Sequence, residues 1–505
     1  MPLTILSEAQ VRSLLLSLTR DDVLALQQNI AEALREYSTG SQDQGCAASY
    51  QPQRTAITRK DGTTTVFMPA STGKTTGIKI ISARLDPRAV ANPADAFKPG
   101  CSIGQDLTAS RQSAKVSLSA DDYSSRRSSS SLSTDMGSMS LTSTTTTTTS
   151  SSQDGSNEKD DDDDDDFSSS SFSSDAPSIN HQSLNPNNPK QSSMGYGQRI
   201  DTKGWIPAGA RDSSPRGALT LLGEDGLPFG LVSAQELTAF RTALTSLCVF
   251  NKRKHVKNLT VFGAGRQAYW HIRLALLLRG PDIKRVYIIN RSFERAAELL
   301  QDIYSASNAS WRAHVKFSAF SSDFVEYDRL LREAVRKADA IFCCTPSLTP
   351  LFPAECLTST EGKRKGRLVS AIGSYKPHMT ELHPDIFRNE VKPHNHSHHH
   401  HKHAQRGGVV LVDSLELCLQ EAGEIVQAEL KPNQLVEIGE LMIMKQAARL
   451  EVEAGGEVEK GLQKWLESGN VVYKSVGLGL MDLVTGGDLV ALARERGVGT
   501  VVPDF

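Results

Sequence analysis

The stretch Gly263-Ala264-Gly265-Arg266-Gln267-Ala268 is the part of this sequence best suited to cradle a phosphate. It follows the apolar run Leu259 to Phe262 and opens a helical pattern, the context that a G-x-G-x-x-G/A loop requires. Gly263 permits the tight turn. Gly265 lets the backbone approach a pyrophosphate, and Ala268 is small enough for close helix–strand packing. The helix amino terminus adds free N–H groups and a positive dipole end. Out of this context the pattern would be an ordinary strand-to-helix turn. One strand later the chain reads Asn290-Arg291-Ser292, with Arg295 one turn on. No carboxylate stands at that strand end to bind ribose hydroxyls, and a guanidinium at Arg291 matches a 2′-phosphate. This favours NADPH over NADH, the alternative being a merely solvated Arg291. Upstream, Ser233-Ala234-Gln235-Glu236 reads as a capping box. The helix it starts runs to about Phe250, with Leu237, Phe240, Leu244 and Leu247 on one side. Thr238, Arg241, Thr242 and Thr245 share another side at helical spacing. Arg241 could grip a carboxylate there.

The elements that must position these groups follow from periodicity. From Asn258 onward, strands alternate with helices. Strands are expected at Asn258–Phe262, Arg285–Ile289, Val315–Phe320, Ala340–Cys344, Leu368–Ile372 and Val409–Val412. Helices are expected at Arg266–Leu278, Ser292–Tyr304 and Phe324–Lys337. Such alternation with Val/Ile-rich strands predicts an α/β fold, a Rossmann-type doubly wound parallel sheet. Before it, Val11–Leu18 and Val23–Tyr37 read as helices. Thr64–Met68, Gly77–Leu85, Gly217–Leu222 and Pro228–Val232 read as strands of a smaller α+β domain.

Two stretches fit no core. Residues 94–203 are dominated by Ser, Thr and Asp and include seven consecutive aspartates, Asp160 to Asp166. They cannot bury enough apolar area to offset chain entropy and are expected to be disordered. Residues 392–408 are His-rich, but no acidic or cysteine partners flank them, so no metal site is expected. The net charge of −2 gives no reason to expect nucleic acid or membrane surfaces as partners. No apolar run reaches the roughly 20 residues a bilayer needs. MPLTILSEAQ has no signal-like pattern, and the seven cysteines are scattered, so a cytoplasmic chain with free thiols is expected.

Taken together and in order, ELTAFRTALTS (236–246), VFGAGRQA (261–268), IINRS (288–292), IGSYKPHMTEL (372–382) and VYKSVGLGLMDL (472–483) resemble the ornithine cyclodeaminase/mu-crystallin family. PQRT (52–55) and GIKIISA (77–83) match the family's amino-terminal domain. The resemblance covers nearly all of the chain outside the two insertions and a smaller one near Lys445 to Leu466. It implies a homodimer in which residues 1–93 and 204–251 form a substrate and dimerisation domain, and residues 252–478 the Rossmann domain. A carboxy-terminal helix within 479–505 then returns to the first domain. It further implies that Arg54, Lys79 and Arg241 line the substrate side, with Arg54 and Arg241 on a carboxylate. A partly desolvated Lys79 would orient that carboxylate or assist proton transfer. Thr242, Thr345, Lys474, Ser475, Val476 and Gly477 would join Gly263, Gly265, Arg266, Gln267, Ala268, Asn290, Arg291, Ser292 and Arg295 around the cofactor.

One departure bears on the reaction. The family's cyclodeaminases carry an Asp two residues after the glycine of the IG motif. Here Gly373 is followed by Ser374 and Tyr375, and a tyrosine is a poor base near neutral pH. The family's reductase branch also lacks that Asp and commonly has Asn-Arg after the second strand. The expectation is therefore an NADPH-dependent imino acid (ketimine) reductase, or an amino acid dehydrogenase running the reverse reaction. The alternatives are an ornithine cyclodeaminase with bound NAD and a non-catalytic NADPH-dependent small-molecule binder.

Overall fold

A computed structural model describes residues 2–40, 47–84, 216–312, 314–392, 408–444, 460–503 and 505. The readings of residues 94–203 as disordered and of 392–408 as a His-rich insertion fall, Lys392 and Gly408 apart, outside the described residues. Every described residue belongs to one compact unit, Met1–Leu118 with Trp205–Phe505.

Two sheets organise that unit. The first contains β1 (Leu3–Leu6), β2 (Thr55–Thr58), β3 (Thr63–Ser71), β4 (Thr76–Arg84), β5 (Arg216–Leu222), β6 (Pro228–Ser233) and a late strand, Thr500–Val502. Its order is late strand, β1, β6, β5, β4, β3, β2. Only β1 and β6 pair in parallel. Helices α1 (Glu8–Leu16), α2 (Arg20–Thr39) and α3 (Ala234–Phe250) belong to this part of the chain. Ser7 and Thr19 cap α1 and α2, each in a complete capping box. Ser233 does not. Its side chain makes no cap bond to α3, and its Oγ donates to Glu8 instead. The expected capping box fails because Glu236 is drawn into a stronger buried ion-pair cluster, described below.

The second sheet is parallel throughout. Its strands are β7 (Asn258–Phe262), β8 (Arg285–Asn290), β9 (Lys316–Ser321), β10 (Ala340–Cys343), β11 (Leu368–Ala371), β12 (Val410–Val412), β13 (Leu435–Glu437) and β14 (Val471–Lys474). The order β13-β12-β14-β11-β10-β7-β8-β9 places the reversal of strand order between β7 and β10. A ligand crevice forms at such a switch point, outside the carboxyl ends of the strands. The interior strands read as apolar runs because both faces are covered. All four residues of β10, β11 and β14 are buried. Helices α4 (Arg266–Arg279), α5 (Phe293–Ile303) and α6 (Tyr327–Lys337) are the crossovers between β7, β8, β9 and β10. Further on, α7 (Leu415–Glu421), α8 (Gly423–Ala428) and the long α9 (Gly479–Glu495) complete the parts that matter for the site. Helix α9 packs on α2 and across β3, β4 and β5 of the first sheet.

Candidate active site

The glycine loop stands at the switch point. Gly263 directly follows β7 with φ +107°, in the region that glycine alone enters readily. Its N–H donates to the Ile289 carbonyl at 2.8 Å, and a Cβ there would sit 2.9 Å from the Cys344 carbonyl oxygen. So the turn is pressed between the ends of β8 and β10. Gly265 is different. It is extended, no side chain caps α4, and a Cβ built on it meets nothing within 4 Å. An uncapped helix start beside open space is what a pyrophosphate needs, since the first N–H groups of a helix have no intrahelical partner. The residues present therefore fit a dinucleotide. Ala268 is fully buried against the sheet.

The flanking polar residues divide. Arg266 points its guanidinium away from the loop, to Glu8 at 3.1 Å and Glu236 at 3.2 Å, leaving only its backbone N–H for a phosphate. Glu236 also accepts from Trp270 at 2.6 Å and from Arg12 at 3.1 Å, so one buried carboxylate pins α1, α3 and α4 together. The Gln267 carbonyl accepts from His271, and its Oε1 is buried without a partner among the described residues. Asn290 donates to the Ser292 carbonyl at 2.8 Å, shaping the turn after β8. Ser292 caps α5 and donates to Glu294 at 2.6 Å. Arg291 and Arg295 are exposed.

Past β10, the loop is fixed by carboxylates. Glu381 accepts from the Thr345 N–H at 2.7 Å, the Thr345 hydroxyl at 3.0 Å and the Gly373 N–H at 2.6 Å. Burial pushes the Glu381 carboxyl up to about 7, against the pull of Lys474. Glu424 accepts from the Glu381 N–H and from Ser374, and lies 3.2 Å from Lys474. Lys474 also donates to the Ser374 carbonyl at 2.7 Å. Lys474 is thus fully buried beneath the loop, its ammonium consumed by Ser374 and Glu424. The next three residues are held by Asp413, which accepts from the Ser475 hydroxyl at 2.6 Å, the Val476 N–H at 3.2 Å and the Gly477 N–H at 2.7 Å.

Gly477 joins this half to the other. Its φ is +86°, and a Cβ there would lie 3.0 Å from Nη2 of Arg241. Arg241 sits on α3 within the Thr stripe, which faces inward. Thr242 donates to the Thr238 carbonyl at 2.8 Å and Thr245 to the Arg241 carbonyl at 3.0 Å, satisfying both hydroxyls within the helix. Arg241 contacts Asp482 of α9 at 3.2 Å. Lys79 of β4 donates to both oxygens of the same carboxylate, at 2.9 and 3.0 Å. Expected to be partly desolvated, Lys79 is in fact fully buried. That burial pushes its ammonium down to about 8, opposed by Asp482 and helped by the charges of Arg241 and Arg54. Arg54 forms an ion pair with Glu421 of α7. The Nε atoms of Arg54 and Arg241 are buried without hydrogen-bond partners among the described residues. Buried donors left unmade are costly, so either Nε is open to an added acceptor; the Nε atoms of Arg253 and Arg367, elsewhere in the chain, are in the same state.

Sequence reasoning missed Asp482, Asp413, Glu381, Glu424 and Glu421. Asp482 was visible as the one acid in the apolar run Leu478 to Leu483, and Glu381 lies within the stretch 372–382 already singled out.

The model of the ornithine cyclodeaminase/mu-crystallin family matches residues 218–486. An uncharacterised protein of Saccharomyces cerevisiae is 32% identical over 291 residues, 54% of this chain and 70% of that protein. Delta(1)-pyrroline-2-carboxylate reductase of Bacillus cereus is 29% identical over 283 residues, 55% of this chain and 70% of that enzyme. Among solved structures, the Thermococcus litoralis Delta(1)-pyrroline-2-carboxylate reductase in complex with NADH and L-proline superposes with a TM-score of 0.54 at 16% identity, covering 99% of each chain.

Proposed function

Because the chain belongs to the ornithine cyclodeaminase/mu-crystallin family, we propose that it is an NADPH-dependent reductase of small imino acids such as pyrroline-2-carboxylate. The observation that carries this reading is the convergence of Lys79 and Arg241 on one buried carboxylate beside Gly477. Gly477 belongs to the loop after β14, which β11 and β10 separate from β7 and the glycine turn at the switch point. The sequence similarity to the Bacillus cereus reductase supports it.

When bound, the nicotinamide supplies the hydride. Everything else falls to the chain. Gly263, Gly265 and the start of α4 would hold the pyrophosphate. Arg291, exposed and without a described acidic partner, would take the 2′-phosphate. Arg54 and Arg241, each with an unpartnered Nε, would hold the substrate carboxylate, fixing the imine carbon. Lys79, titrating near 8, is matched to release a proton toward the imine nitrogen near neutral pH. Where the family's cyclodeaminases have an Asp, Tyr375 stands, half-exposed and pushed up by burial, which leaves no carboxylate at that position for ammonia loss. A cytoplasmic homodimer with residues 1–93 and 204–251 as substrate and dimerisation domain completes the reading. Among the described residues, no helix is long and apolar enough to cross a membrane.

The test is direct. Purified protein is given NADPH with pyrroline- or piperideine-2-carboxylate, and nicotinamide absorbance is followed; separately it is given ornithine with NAD, and ammonia is measured. Absorbance loss without ammonia is expected. Ammonia at constant absorbance would replace the reductase by a cyclodeaminase, and neither signal would favour a non-catalytic binder.

A further inference from the structure

A carboxylate that ties up two of the three substrate-side cations is at first sight an obstacle to binding an anion. Asp482 has no exposure, and it is reached from two directions. Lys79 comes from β4 with both oxygens in range, and Arg241 from α3 to the second oxygen. Thr238 Oγ1 lies 3.5 Å away. The strand, the α3 helix and α9 are thus locked to each other by charge. Among the described residues no other acidic group contacts Lys79; the charged groups facing it are Asp482, Arg241 and, at longer range, Arg54, itself neutralised by Glu421. The charge count of the buried trio is therefore two positive and one negative. One positive charge is left over, enough for a single carboxylate.

Resting on the reductase reading above, we propose that Asp482 is a positioning residue that holds Lys79 charged and aims it, so that the pocket presents one surplus positive charge to an α-monocarboxylic imino acid. The physical reason is desolvation. A buried lysine without a counter-charge loses its proton rather than bear the cost of burial. With Asp482 in place Lys79 keeps it into the neutral range, and the bidentate contact fixes the direction of Nζ. Arg241 then turns its unpartnered Nε to the substrate. A dicarboxylic imino acid would bring a second negative charge for which this trio has no balance.

The experiment compares D482N and D482E with wild type, following kcat and KM for pyrroline-2-carboxylate from pH 6 to 10 and the Kd for NADPH. D482N should move the alkaline limb of kcat/KM downward by more than about one pH unit, with NADPH affinity unchanged. D482E keeps the charge but displaces it by one methylene; kcat should fall by up to about a hundredfold while the alkaline limb stays in place. If D482N lowers KM and leaves the pH profile where it was, Asp482 merely competes for the cations and the proposal is wrong. Wild-type kcat in D482E would equally overturn it, and D482E carries the test alone if D482N does not fold. Should wild type reduce no imine at all, the failure belongs to the reductase reading and not to Asp482.

Discussion

Replacing Gly265 by alanine should separate cofactor binding from folding. The residue is extended, with φ −101° and ψ −172°, a conformation open to any L-residue. A methyl there touches nothing within 4 Å. Alanine reduces the entropy of the unfolded chain, a gain of about 0.4–1 kcal/mol. It is also a poorer N-cap than glycine, a loss of comparable size. Stability should therefore stay within about 0.5 kcal/mol of wild type. The methyl, however, occupies the space through which a pyrophosphate would reach the uncapped start of α4. Lengthening or losing one charged hydrogen bond costs about 1.5–3 kcal/mol, which is roughly ten- to a hundredfold in Kd for NADPH. Gly263→Ala is the opposite control. At φ +107°, with a carbonyl oxygen 2.9 Å from the new methyl, it should lose at least about 1–2 kcal/mol of stability. Nucleotide fluorescence titration and thermal melts on both variants decide the matter. A folded G265A protein that binds NADPH as wild type does would show that the pyrophosphate does not lie over Gly265, and its placement at the start of α4 would be wrong.

Other outcomes follow from the same geometry. Arg241→Ala should raise KM for the imino acid by about tenfold or more and leave NADPH affinity nearly intact; collapse of nucleotide binding instead would contradict its assigned place. Arg291→Ala should weaken NADPH by about tenfold or more while NADH is unaffected, read from paired titrations; equal losses for both nucleotides would remove Arg291 from the 2′ position. Glu381, pushed up to about 7 from an ordinary value of 4.5, contributes stability that is complete below pH 4.5 and is lost as the pH rises through 7. The Glu381→Gln variant lacks this dependence. Its stability relative to wild type should rise between pH 5 and pH 8 by up to about 3 kcal/mol, measured by denaturation at the two pH values, and a constant difference would mean that Glu381 does not titrate there.

The Rossmann half was readable because its signal is local. The strand Asn258–Phe262, the turn and the helix after it have one period each and a glycine where the geometry demands one, and all three lie where periodicity puts them. Strand β14 escaped notice because Val471–Lys474 is short and its partners, β11 and β12, are distant in sequence. Strand β1 and the late strand Thr500–Val502 escaped for the same reason, having four and three residues. The capping box misled because Glu236 fits that motif locally, while Arg12, Arg266 and Trp270 offered it more from afar. The basic members of the Asp482 cluster could be named from family-like motifs. Its acids could not, since a pairing such as Lys79 with Asp482 spans 403 positions and no pattern within either segment announces it.

The register of the first sheet places Ser82 opposite Arg216, in neighbouring antiparallel strands. The two strands therefore pair directly although residues 85–215 separate them in sequence. Closing a loop some thirtyfold longer than a tight turn adds only about 3 kcal/mol, because the entropy grows with the logarithm of length. The sheet that holds Lys79, three residues before Ser82 on β4, can thus join strands so far apart in sequence at small entropic expense.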